Sequence, residues 1–326
     1  MPPPDSIKRS GGKLVSILML VAFMAACGSD APESSPAPER STAGWRTLKS
    51  APNQRTEVAA AAVDGKIYVM GGFVPPGRTV AIVEVYDTGA DSWSRGPDLP
   101  LAVNHGMAAA ADGVIYALGG YAGESDLSAP TDRAFAFRED RWEELPPMPE
   151  VRAAAGAAAI DGKVYVAGGV GPVGLADSTL VFDTAERTWS EAPGVPTPRE
   201  HLGVATDGAK LFVTGGRPPN TDRMEAFDPS TGEWDRLDDM PTARGGLAAA
   251  GTSDGLIVAA GGEAEQTFPE VEAYDPKKGT WARLEGLPTP RHGLGVVAVG
   301  NTVYVLAGGP QPGFAFSGAN EALDLS

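Results

Sequence analysis

Five arginines recur at one point of a repeating unit: Arg55, Arg152, Arg199, Arg244 and Arg291. A guanidinium is a planar fork that pairs bidentately with a carboxylate or a phosphate, so five of them brought round one axis would make an anion site on an otherwise acidic chain. Val103 stands where a sixth is expected and breaks the ring. The same arginines also have an architectural reading, because a group repeated in every unit follows from the repeat itself and would bond loop carbonyls or a neighbouring unit. Glu84, Glu225, Glu272 and Glu321 recur too and are read as structural pairs. Residues that differ between units are freer to serve a ligand, since symmetry does not require them. Tyr121, Arg217 and Glu263, with Phe73 and Phe314, stand in loops of unequal sequence, and such a mixture suits a sugar or a peptide.

The three histidines fall in alternate units. His105 and His201 lie two residues after the arginine position, and His292 one residue after. Three imidazoles near one axis could ligate zinc or copper. His292 is out of register by one, however, and would face the other way along a strand. No carboxylate or cysteine stands at metal-ligand spacing beside them, so neither a metal nor a cofactor is expected. There is no H-E-x-x-H and no phosphate-binding P-loop, and the glycine pairs described below read as strand terminators.

The elements that position these residues are set by a repeat of about 47 residues. All six tryptophans mark it: Trp45, Trp93, Trp142, Trp189, Trp234 and Trp281. The arginine position follows ten residues later, and an aromatic or Ile thirteen residues beyond that: Tyr68, Tyr116, Tyr165, Phe212, Ile257 and Tyr304. A Gly-Gly pair then ends each apolar run. Asp-Gly at Asp64-Gly65, Asp112-Gly113 and Asp161-Gly162 separates a run of small residues from an apolar run, which is the signal of a tight hairpin. A third strand such as VEVYD and a short fourth strand at the tryptophan complete the unit. Asp87, Asp183, Asp228 and Asp275, each six residues before a tryptophan, hold turns.

Four strands per unit at this period predict a β-propeller of six blades. The first strand is poor in bulk, as in Ala59 to Ala62 and Ala108 to Ala111, which suits the innermost position. In the last two blades the glycine pair comes one residue late, which predicts a bulge at the strand end. The chain ends EALDLS, a third strand without a fourth, and its first unit opens GWRTL, a fourth strand without a blade. The N-terminal strand is therefore expected to complete the last blade and close the ring.

The Gly-Gly pair, the tyrosine three or four residues before it, the Tyr/Phe-Asp and the tryptophan at blade-length spacing resemble the kelch repeat. The resemblance spans residues 43–326. It implies an all-β, six-bladed propeller whose loop face binds ligands, in a family that includes enzymes, adaptors and scaffolds. The copper-radical oxidases of this superfamily cross-link a Cys to a Tyr, and the propeller here has no Cys. The expected role is a non-catalytic module that binds a protein or a glycan through its loop face. The alternative is a sugar-modifying enzyme similar to sialic-acid mutarotases, with the arginine ring holding the sugar carboxylate.

The first 26 residues read as an export signal. Lys8, Arg9 and Lys13 precede an apolar run from Leu14 to Ala26 that is short for a membrane span. The run ends MAAC, which resembles the bacterial lipoprotein box and makes Cys27, the only cysteine, the expected site of lipidation. Residues 27–42 read as a flexible tether rich in Ser, Pro, Ala and Glu. The expected place is the bacterial cell envelope, with the membrane held through acyl chains on Cys27. The net charge of −16 becomes about −18 once residues 1–26 are removed, which argues against nucleic acid as a partner.

Overall fold

The computed structural model describes residues 44–123 and 127–326; the expected export signal, Cys27 and the expected tether lie outside them. Six four-stranded antiparallel sheets follow one another along the chain, and among the described residues there is no helix. The first blade runs from an inner strand, Ala59–Val63, through Lys66–Met70 and Val83–Asp87 to an outer strand, Ser92–Arg95. The sixth has Gly295–Val299, Thr302–Leu306 and Asn320–Asp324, and its outer strand is Trp45–Thr47 from the other end of the chain. Trp45 pairs with Leu323, Arg46 with Ala322 and Thr47 with Glu321. The ring is thus closed as the ends of the sequence imply.

The inner strands are alanine-rich because they converge. They line an axial channel enclosing about 280 Å³. A Cβ placed on Gly251 would lie 1.8 Å from the carbonyl oxygen of Thr206 in the neighbouring blade, so that position admits only glycine. Further out, the tryptophans staple each blade to the one before it. Trp93 Nε1 donates to the carbonyl of Lys49 at 2.7 Å, Trp142 to that of Pro97 at 2.9 Å and Trp281 to that of Asp238 at 2.9 Å. Trp45 does the same to Glu285, at 2.9 Å, across the closure. The indole packs its apolar body on the third-strand aromatic, with Trp93 and Tyr86 centroids 5.1 Å apart, while its N–H finds a partner.

The Asp-Gly hairpins of the first three blades have positive φ at both residues, as a type I′ turn requires. In the fourth and fifth blades the connections are longer, from Thr206 to Leu211 and from Gly251 to Ile257. The late glycine pairs are not strand-end bulges, contrary to expectation. In the fifth blade the extra residue sits in the hairpin turn, and Gly262 N–H still donates to the next blade's Arg291 carbonyl at 2.9 Å. In the sixth, Ala307 takes the first glycine's left-handed place with φ 54°, and Gly308 N–H donates to the Arg55 carbonyl at 2.8 Å. The aspartates do hold turns: Asp87 Oδ1 accepts from the amides of Gly89 and Ala90, and Asp275 Oδ1 from Lys277 and Lys278.

Candidate functional site

The arginine ring turns away from any ligand. Arg55, Arg152, Arg199, Arg244 and Arg291 are each no more than 1 % exposed. Arg244 Nε donates to the Gly261 carbonyl at 2.7 Å, and its Nη1 donates to the Thr242 carbonyl at 2.8 Å and to Glu272 Oε2 at 2.6 Å. Arg291 is bonded alike to the carbonyls of Ala307, Thr289 and Val305 and to Glu321. Arg55 pairs with Glu84 and Arg199 with Glu225. Arg152 uses Glu150 and Ser178, because Leu180 stands where the first, fourth, fifth and sixth blades carry the glutamate. The chain leaves strand-end carbonyls unpaired inside each blade, and a guanidinium with five donors satisfies them. This corrects the expectation of five cations converging on an anion. The second blade shows the same rule from the other side: it lacks both members of the pair, and Val103 and Phe135 in their places border one small apolar cavity.

A second cluster lies two residues further on. Glu57, His105, Ala154, His201, Gly246 and Gly293 occupy equivalent places in the six blades, and all six have φ between 51° and 69°. The left-handed turn aims each amide at the preceding blade. His105 N–H donates to the Glu57 carbonyl at 3.1 Å, Ala154 to His105 at 3.0 Å, His201 to Ala154 at 2.8 Å, Gly246 to His201 at 2.9 Å and Gly293 to Gly246 at 3.0 Å. Val58 N–H donates to Gly293 at 3.3 Å and closes the circle. A left-handed residue with a Cβ costs about 1–2 kcal/mol, so glycine is the default there. Glu57, His105 and His201 hold these places in spite of that cost.

Their side chains join a circuit at one mouth of the channel. Glu57 Oε2 lies 3.2 Å from His105 Nε2, and its Oε1 lies 3.2 Å from His292 Nδ1. His292 Nδ1 also faces Glu263 Oε2 at 3.4 Å. Arg217 bridges Glu263 at 2.8 Å and Glu200 at 3.5 Å, and Glu200 lies 3.1 Å from His201 Nδ1. The His201 and His105 rings complete the circuit edge to face, with centroids 4.8 Å apart. The Tyr121 ring stands 5.6 Å from that of His105. The expected loop residues Tyr121, Arg217 and Glu263 therefore do come together, and Arg217 keeps about a third of its side chain exposed. Glu57, Glu200 and Asn104 join them without having been singled out. For Glu57 the sequence did hold a signal: its column of the repeat reads Glu, His, Ala, His, Gly, Gly, which marks a left-handed position carrying unneeded side chains.

Hydrogen bonds assign the ring protons. His292 Nε2 lies 3.1 Å from the carbonyls of both Gln311 and Gly313 and so carries a proton, while its Nδ1 faces the Glu57 and Glu263 carboxylates without an aligned hydrogen bond. Burial lowers the His292 pKa, but Glu57 and Glu263 outweigh it and the net shift is upward. Burial pushes the Glu57 carboxyl up, and His105, His292 and His201 together hold it well below the carboxylate range. His105 is pushed down to about 4 by burial, which Glu57 only partly offsets. Its ring donates Nδ1–H to Asn104 Oδ1 at 2.6 Å. The Asn104 amide is oriented by its own donation to Thr79 Oγ1 at 2.9 Å.

Two family models match this chain. The Kelch motif matches residues 54–100, 108–149 and 152–196, and the KLHDC2/KLHL20/DRC7 Kelch-repeats domain matches residues 177–309. Together they reach into every blade. The chain is a kelch-repeat β-propeller. No curated protein matches it. At the axis of this kelch propeller the circuit holds three carboxylates against Arg217 and the imidazole of His292.

The circuit should make the kelch domain sensitive to acid. Burial pushes the folded His105 ring down to about 4, below the ordinary value of 6.5 that the unfolded chain would show. Stability should therefore fall as pH drops from about 6.5 to about 4. His292, raised, adds stability below its unfolded value and so contributes no loss in that window. Melting temperatures between pH 7 and pH 4 should fall less steeply for His105→Gly than for the unaltered protein; equal slopes would assign the acid sensitivity to other groups.

Proposed function

We propose that this kelch propeller is a non-catalytic binding module, exported and lipid-anchored, whose loop face takes a protein or glycan partner. One observation carries the reading. The exposed large apolar side chains among the described residues are Leu127, Val173, Leu175 and Phe314, and all four lie on loops that follow a glycine pair. Strand order puts those loops at the same end of every blade, around the axial pit. Phe314 is 58 % exposed, and its ring stands edge-on to that of Phe73 at 5.2 Å. A solvent-facing aromatic beside a polar pit, with exposed aliphatics on the neighbouring loops, is what sugar rings and peptide side chains pack against. The five ring arginines are buried, and Arg217, which lies at the pit, is already held by Glu263 and Glu200. Anchoring rests on the sequence alone: the basic start, the short apolar run, the MAAC box at Cys27 and the tether.

Photo-crosslinking in intact cells tests both parts. A diazirine side chain at Val173 or Phe314 should trap a discrete adduct, and one at Asp112, at the opposite end of its blade, should not. The Cys27→Ala protein should leave the membrane fraction and lose the adduct with it. Equal adducts from both faces, or none from the loop face, would sink the module reading; a Cys27→Ala protein that stays with the membrane would sink the anchor.

A further inference from the structure

We propose that Glu57, His105 and His201 bind a divalent transition-metal ion, zinc foremost, at the loop-face mouth of the axial channel. One ligand atom from each lies within 4.8 Å of the others. The decisive observation is the face His105 turns to Glu57. Asn104 Oδ1 takes the Nδ1–H proton, and the Asn104 amide cannot turn round without losing its donations to Thr79 Oγ1 at 2.9 Å and to the Tyr121 carbonyl at 3.4 Å. His105 Nε2 then faces a carboxylate oxygen of Glu57 3.2 Å away, and a carboxylate offers only lone pairs. Either a proton or a metal ion must bridge that gap. Donors on a tetrahedral zinc at about 2.0–2.1 Å stand roughly 3.3 Å apart, which this gap matches.

Four further observations agree. An outer partner fixing the ring of a ligand histidine is the usual second layer of such sites, and Asn104 plays that part for His105. Glu200 lies 3.1 Å from the buried Nδ1 atom of the half-buried His201, yet that nitrogen has no aligned hydrogen bond. The circuit sets the carboxylates of Glu57, Glu200 and Glu263 against one permanent cation, Arg217, so positive charge is wanting. The three ligands also occupy left-handed positions that two other blades give to glycine, and strain of that kind collects where a side chain has work to do. Imidazole and carboxylate donors without sulfur suit zinc and its first-row neighbours rather than magnesium or calcium. Three protein donors leave a fourth position for water or for an oxygen of a bound ligand.

The same left-handed geometry supplies a safe test. His105→Gly and His201→Gly put at φ 52° and 51° the residue that Gly246 and Gly293 already supply in the fifth and sixth blades. The full chain, stripped by chelation, is titrated with zinc by calorimetry and with cobalt by visible absorption. The expected result is one equivalent bound, with the d–d bands of a low-coordinate cobalt site. Each glycine variant should lose at least about 100-fold in affinity, and Asn104→Ala about 10- to 100-fold. Should a variant fail to fold, carbethoxylation of the unaltered protein decides: zinc should protect His105 and His201, and mass spectrometry reads both. Absence of stoichiometric binding, unchanged affinity in both glycine variants, or unprotected histidines would overturn the site and leave a shared proton as the bridge. The outcome is independent of the loop-face partner, since the probe is the metal alone.

Discussion

Replacing Arg244 with methionine should destabilise the propeller by about 3–5 kcal/mol, the cost of leaving a buried charge without its partner. Glu272 is 0 % exposed and would lose its 2.6 Å contact with the guanidinium, while the Gly261 and Thr242 carbonyls would lose their donors. The molecule itself contains the compensating change. In the second blade the pair is replaced on both sides, by Val103 and Phe135, and that blade closes without it. The double substitution Arg244→Val with Glu272→Phe should accordingly recover most of the loss, because removing both members of a buried pair leaves no orphaned charge. Urea unfolding of the two single variants and the double one reads the result. A loss below about 1 kcal/mol for Arg244→Met would mean that the guanidinium does not hold the blade together, and would reopen the ring as a ligand site.

That comparison also shows why the arginines were ambiguous in the sequence while the blades were not. Every blade solves the same packing problem, so the tryptophan, the glycine pair and the small inner strand recur in register and specify the propeller and its closure. Burial of a guanidinium depends on carbonyls delivered from two other strands, and no periodicity reports on those. The hint was co-occurrence: the glutamate is present in the first, fourth, fifth and sixth blades and absent with the arginine in the second. The third blade hides the rule, since Arg152 draws its carboxylate from Glu150, two residues away, instead of from the third strand. The axial circuit was half legible. His105 and His201 shared a register, and Tyr121, Arg217 and Glu263 stood out as asymmetric. Glu57 did not, because a carboxylate one blade away, at 48 residues' distance from His105, has no local spacing to betray it. His292, one residue out of register, does face another way, and still reaches Glu57 because Gly293 beside it turns the chain.

Deleting residues 43–49 from the full chain should destabilise all six blades together, by about 3 kcal/mol or more, the scale of losing one packed aromatic. Trp45 packs in a cluster with Leu323 and Leu325, and its indole N–H reaches the fifth blade's Glu285 carbonyl at 2.9 Å. Lys49 offers its carbonyl to Trp93 at 2.7 Å and to Asn320 at 3.2 Å, so the segment ties three blades. Without it Asn320–Asp324 becomes an open edge strand, and an open edge recruits another chain. The deletion should therefore lower the melting temperature and add concentration-dependent association. A synthetic peptide of residues 43–50 should reverse both by adding back the missing strand. Because a closed ring transmits the loss of one strand to every interface, the fall should be a single cooperative transition shared by tryptophan fluorescence and circular dichroism. An unchanged melting temperature would mean that the ring is held closed elsewhere, by the channel-side amide circle from Glu57 to Gly293 rather than by the strand at its rim.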